Sequence, residues 1–150
     1  MVTTTFRILV HAQAETVWKL LYDRIENPQN FQPQIIGSRI TTRTAEGVIR
    51  ESKVSDGVIR ERISVDMKEH AVHTVLLEHP VCTGTIVTRV LPTSLQNPMA
   101  PLYLEVQARL EAVKRYGKGA NRYSEDAVVV EIQGEMEQVK RRAEELEQVL

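Results

Sequence analysis

The sequence predicts an α+β fold whose elements run β-α-α-β6-α, with seven antiparallel strands and a long closing helix. Two observations carry most of this prediction. From Ile35 to Leu110 apolar and polar residues alternate, with turn signals roughly every ten to fifteen residues, the pattern of an antiparallel meander. From Val128 to Leu150 the period changes: Val129, Ile132, Met136, Val139, Ala143, Leu146 and Leu150 recur in steps of three and four, which draws one apolar stripe along a helix. At 1.5 Å per residue that helix would be about 33 Å long, enough to cross a small domain. A sheet is the natural surface for its stripe.

The elements follow in order. Phe6, Ile8 and Val10 alternate with polar or outward residues and define a first strand with those three on one face. Ala14, Val17, Trp18, Leu20, Leu21 and Ile25 then recur at helical spacing, and Asn27-Pro28 ends the pattern because proline disfavours helix in the residue before it. Glu26 to Pro33, with two prolines and Phe31, is expected to be a short turn or a single helical turn.

Gly47-Val48-Ile49-Arg50-Glu51 recurs as Gly57-Val58-Ile59-Arg60-Glu61, the two arms of a hairpin. Asp56-Gly57 is a two-residue turn signal, since such a turn needs positive φ at its central positions. Counting outward from it sets Ser52 against Glu61 and Arg50 against Ile63. One face then holds Val48, Arg50, Ser52, Val54, Ile59, Glu61, Ile63 and Val65, and its apolar character turns it toward the long helix. Arg50 and Glu61 are its charged pair, diagonal neighbours.

A three-residue loop, Ala45-Glu46-Gly47, would set Thr42 against Arg50 and point Ile36, Ser38 and Ile40 inward. The loop near Lys68 to His70 leaves two phases open, with either Val72, Thr74 and Leu76 or His73, Val75 and Leu77 inside. Thr83 to Leu91 is a strand, and Leu102, Leu104, Val106, Ala108 and Leu110 form the cleanest inward row. Lys114 to Asp126 has no apolar period and reads as a loop.

The chain has 150 residues, 42% hydrophobic and 26% charged. That suits a single domain, 1–150, burying roughly two thirds of its unfolded surface. Nineteen basic against twenty acidic residues leave no global field to attract nucleic acid or an anionic membrane. Neither a leader pattern nor an apolar run of membrane-spanning length is expected. One cysteine, Cys82, suits a reducing compartment, so a cytoplasmic location is expected.

Val10-His11-Ala12-Gln13-Ala14-Glu15-Thr16-Val17-Trp18 resembles the strand-to-helix opening of the START-like, SRPBCC or helix-grip superfamily, with Gln13 where proline is common. Glu26-Asn27-Pro28-Gln29-Asn30-Phe31-Gln32-Pro33 and Arg60-Glu61-Arg62-Ile63 more closely resemble its AtaL-like branch, whose members are largely without assigned function. The resemblance implies a seven-stranded sheet curved around the C-terminal helix, with a cavity between them for apolar small molecules. It also implies that Phe31, Ile63, Leu104, Val106, Met136 and Val139 line that cavity, although each also reads simply as a core residue.

Arg50 and Glu61 are the candidate polar groups of such a site. They could hold a ligand carboxylate or hydroxyl, Glu61 could act as a general base, or the two could form a structural ion pair at the cavity mouth. His73 could supply acid-base chemistry only in one of the two phases above. Cys82 and Ser52 lack the neighbours a nucleophile needs. The four histidines show no metal-binding spacing, and Gly117-Lys118-Gly119 is not a phosphate loop, so neither metal nor cofactor is expected. Lys114-Arg115-Tyr116-Gly117-Lys118 with Arg122-Tyr123 could stack on single-stranded nucleic acid, but a lid or solvated linker fits a neutral chain better. The helix stripe would also suit a coiled-coil dimer, although packing within a monomer or weak homodimer fits an otherwise uncovered sheet.

The leading expectation is therefore a protein that binds a small apolar or aromatic molecule. The alternatives are a cyclase or dehydratase acting on a polyketide-like substrate, with Glu61 as base and Arg50 stabilising an enolate, and an interaction module with a vestigial pocket.

Overall fold

The computed structural model describes residues 1–97, 99–113 and 125–148. Strand β1 (Val2–Val10) leads into α1 (Ala14–Glu26), and Pro28–Asn30 forms a single 3-10 turn, where the sequence suggested a second short helix. Six strands follow: β2 (Gly37–Thr44), β3 (Gly47–Val54), β4 (Gly57–Asp66), β5 (Ala71–Glu78), β6 (Cys82–Pro92) and β7 (Leu102–Ala112). The chain closes with α2 (Glu125–Gln148). All seven strands form one antiparallel sheet in the order β1-β7-β6-β5-β4-β3-β2. The predicted fold class is the observed one.

Alternation explains which side is covered. Leu102, Leu104, Val106, Ala108 and Leu110 of β7 are all buried, facing Val10 of β1 and the Val17, Leu20 and Leu21 face of α1. Ile132, Met136, Val139 and Ala143 of α2 complete this main core. A second cluster, Ile25, Ile63 and Val72, packs with Trp18, Val48 and Val65. The hairpin face predicted to look toward the long helix is thus covered in part by α1.

The α2 stripe differs from expectation at both ends. Val128 is buried more deeply than Val129, while Leu146 is 47% exposed because the covered part ends at Ala143. Leu150 lies outside the described residues, as does the loop expected over residues 114–124.

Register departs from the sequence count in three places. Ser55 and Asp56 form the β3–β4 turn, so Val54 pairs with Gly57, Ser52 with Ile59 and Arg50 with Glu61. The shift is two residues, which leaves every side chain on its predicted face. The predicted turn fails because Gly57, at φ 147°, is the first strand residue, and Asp56 does not take the positive φ that a central position would need.

Gly47 does the same after the two-residue turn Ala45-Glu46. A bulge at Thr41 then places Ile40 opposite Arg50 and Thr42 opposite Ile49, correcting the expected Thr42–Arg50 match. Ile36 lies before the strand and is 68% exposed, and Ile35 takes the inward position instead.

The third connection settles the open phase. Asp66 pairs with Ala71 across Met67–His70, an even loop that points Val72, Thr74 and Leu76 inward and His73 to the outer face. Asp66 Oδ1 accepts the N–H groups of Lys68 and Glu69, and His70 closes the loop at φ 51°. An aspartate followed by a left-handed residue is the chemistry of that turn.

Candidate functional site

The register makes Arg50 and Glu61 direct cross-strand partners on the covered face. Arg50 Nη2 donates to Glu61 Oε1 at 2.7 Å, and Nη1 donates to the carbonyls of Arg24 and Ile25 at 3.0 Å each. Those carbonyls end α1 and have no partner further along the helix, so the guanidinium caps a negative helix end as well as binding Glu61. Arg24 in turn donates from Nη1 to Glu135 Oε1 of α2 at 2.7 Å, and both side chains are at most 10% exposed. Two buried ion pairs thereby lock β3, β4, α1 and α2 together.

The second pair escaped the sequence reading, although its signal was present. Glu135 falls three residues after Ile132 and four before Val139, on the stripe itself. Arg24 falls likewise on the face of Leu20 and Leu21.

Two adjoining cavities lie between the N-terminal half of α2 and the sheet, with volumes of about 50 and 40 Å³. Ile59, Val128, Gln34, His79 and Glu131 border both. Leu76, Ile86 and Ile132 add apolar wall on one side, and Val54, Pro80 and Val81 on the other. Few polar groups interrupt this surface. Glu61 reaches the inner cavity and Asp56 the outer one.

The polar groups differ in how far they are committed. Glu61 is engaged by a guanidinium proton at its Oε1, which leaves less of its lone-pair density for a substrate. His79 Nδ1 accepts the backbone N–H groups of Val81 (3.0 Å) and Cys82 (3.3 Å), which puts the neutral ring's proton on Nε2. Burial, with Asp56 adding repulsion, pushes the Glu131 carboxyl above the usual carboxylate range. Burial also pushes the Cys82 thiol up to about 11, with Glu125 and Glu131 contributing. Cys82 is fully buried, so it has neither the access nor the thiolate of a nucleophile.

Of the residues singled out from the sequence, the structure brings Arg50, Glu61 and Ile63 together on adjacent strands. Phe31, Leu104, Val106, Met136 and Val139 lie in the main core at 1% exposure or less and border neither cavity. The Phe31 ring is further covered by the Arg142 guanidinium, 4.9 Å from its centroid. His79, Gln34 and Glu131 were not singled out, because they come from a turn, a connecting segment and the edge of a helix, none of which carries a periodic signal. Among the described residues no group of three or more His, Cys, Asp or Glu is placed to hold a metal ion.

A wider groove of about 670 Å³ runs along the β2–β4 end of the sheet, past Thr42, Val48, Arg62 and Met67. Neither helix contributes to its walls, so nothing roofs it.

A seven-stranded antiparallel sheet gripping a C-terminal helix defines the helix-grip, polyketide cyclase-like fold. Three solved structures carry the comparison. The aromatase/cyclase Zhui from Streptomyces sp. R1128 superposes with a TM-score of 0.73 at 17% identity, over 95% of this chain and 93% of its own. The protein XoxI from Bacillus cereus gives 0.70 at 19% identity, over 98% and 99% of the two chains. An uncharacterised protein from Bacillus thuringiensis gives 0.67 at 19% identity, over 93% and 97%. At these identities the likeness is one of fold, which by itself selects no chemistry. No protein-family model matches the chain, and no curated protein matches its sequence. Among the described residues no helix is long and apolar enough to cross a membrane.

Proposed function

We propose that the protein binds a small apolar or aromatic molecule in the space between α2 and strands β4 to β6. The carrying observation is the cavity wall: apolar side chains from four elements, interrupted by Glu61, His79 and Glu131, the composition of a small-molecule site. Volumes of about 50 and 40 Å³ are well below the roughly 300 Å³ or more of typical ligand pockets. Entry therefore requires the first turns of α2 to part from Ile59, Leu76 and Ile86.

An amide-resolved NMR titration with benzyl alcohol and 2-naphthol tests this. Saturable shifts at Ile59, Leu76, Val128 and Ile132 are expected. Shifts confined to the Thr42–Met67 groove, or no shifts at millimolar probe, would defeat the proposal.

Acid-base catalysis on such a ligand is the second reading, and the state of Glu131 favours it. A carboxyl held partly protonated by burial beside an apolar cavity is suited to proton transfer near neutral pH. On this reading Glu131 replaces Glu61 as the acting acid or base, because Arg50 occupies Glu61. Once a convertible substrate is found, Glu131→Gln should abolish conversion while retaining binding, whereas Glu61→Gln should chiefly lower stability. Full activity in Glu131→Gln would remove the catalytic reading and leave the binding one.

A further inference from the structure

The cavity's charge balance narrows its occupant. Four ionisable side chains border it: Asp56, Glu61, His79 and Glu131. No lysine or arginine is among its described lining residues. Glu61 is neutralised by Arg50 at 2.7 Å. His79 Nδ1 is taken up by two backbone N–H groups and is an acceptor. Two carboxylates remain, Asp56 from the β3–β4 turn and Glu131 from α2, which face each other across the outer cavity.

They repel. The like charge of Asp56 adds to burial in disfavouring ionised Glu131, the behaviour expected where no cation lies between two acids. The positive N-terminal end of α2 offers little relief, because Glu125 and Asp126 already occupy its first turn. An anionic guest would bring a third negative charge into a partly desolvated space. A cationic guest would relieve the existing pair while its hydrocarbon met Ile59, Val54 and Val128.

Resting on the binding proposal above, we infer that the ligand is a small organic cation: an ammonium group on a short apolar or aromatic frame. Its charge lies between Glu131 and Asp56, and its frame displaces the contact of α2 with β4. Glu131 is the principal anchor because it is the more buried of the two carboxylates, and charge-assisted hydrogen bonds strengthen as water is excluded.

Three probes of one skeleton and different charge test this on the full chain at pH 7: benzylammonium, benzyl alcohol and benzoate. Calorimetry gives affinity, and amide shifts give location. Benzylammonium is expected to bind about tenfold or more tighter than benzyl alcohol, with benzoate weakest, and to shift Ile59 and Val128. Glu131→Gln should lower the benzylammonium affinity about tenfold and leave benzyl alcohol unchanged. Benzyl alcohol or benzoate binding at the cavity as tightly as benzylammonium would overturn the charge inference and leave the binding proposal standing. Failure of all three probes to shift the cavity amides would overturn both. Benzylammonium shifts confined to exposed acidic residues elsewhere would overturn the charge inference as well.

Discussion

Gly47 and Gly134 separate two uses of glycine in one chain. A Cβ on Gly47, which sits at φ 157°, would lie 2.2 Å from the Ile63 carbonyl oxygen, a backbone atom that cannot yield without breaking the β3–β4 ladder. Gly47→Ala is expected to destabilise the protein by about 2–4 kcal/mol in urea unfolding. Gly134, exposed in the middle of α2, has nothing within 4 Å of an added Cβ, so Gly134→Ala should stabilise by about 0.5–1 kcal/mol. Equal effects of the two substitutions would contradict the close approach at Gly47.

Glu131 makes the residue-scale case for a site. A carboxyl whose folded pKa is raised above its ordinary value of 4.5 weakens the native state once it ionises. Below 4.5 that penalty is absent. It develops as pH rises toward the folded pKa and is complete above it. Glu131→Gln should therefore melt higher than the parent at pH 7, and the gap should close as pH falls below about 4.5. A gap of the same size at pH 4 and pH 7 would show that charge is not its cause.

At the scale of elements, the helices are fastened by side chains from remote positions. The Gln13 side chain does not cap α1, yet its backbone N–H donates to Glu147 Oε1 at 2.8 Å, as does Thr16 Oγ1 at 3.0 Å. Glu144 accepts the His11 N–H at 2.9 Å and pairs with Lys140 at 2.6 Å. The last turn of α2 thus supplies the acceptors that the start of α1 lacks. Burial works to raise the Glu144 pKa, but the His11 N–H and Lys140 outweigh it and hold the carboxyl below 4.5. A lowered folded pKa adds stability above 4.5, which is lost as pH falls through the folded value. In acid titrations of stability, Glu144→Gln should trail the parent at neutral pH and match it below that window.

The Arg24–Glu135 pair between α1 and α2 supports a stronger prediction. Arg24→Met or Glu135→Leu alone should cost about 3–5 kcal/mol, since each leaves a buried charge without its partner. The double substitution should recover most of the loss, and additive losses in the double variant would show that the two side chains do not act on one another.

At the scale of the whole molecule, the two-layer closure seals a space too small for the proposed guest, so function depends on an opening of α2 from the sheet. Cys82 is a built-in reporter of such openings. It is fully buried, and with a pKa of about 11 only about a thousandth of its thiol is ionised at pH 8. Labelling by a disulfide reagent at pH 8 should be at least ~1000-fold slower than for a free cysteine, and slower again with a cavity ligand bound. Labelling at the rate of an exposed thiol would mean that β6 and α2 do not close over Cys82.

Element order, the inward row of β7 and the two faces of the β3–β4 hairpin were legible in the sequence, because each depends on a period of two or of about 3.6 read along neighbouring residues. A face depends only on parity, so it survived a register error of two residues. The direct Arg50–Glu61 contact did not, since it turned on whether Gly57 closes the turn or begins the strand. Tertiary structure alone decided that question, the phase of β5, the Arg24–Glu135 pair across 111 residues of sequence, and the meeting of Asp56, His79 and Glu131 around a cavity. Those features arise where distant segments arrive at one place, and local periodicity carries no information about which segments those are.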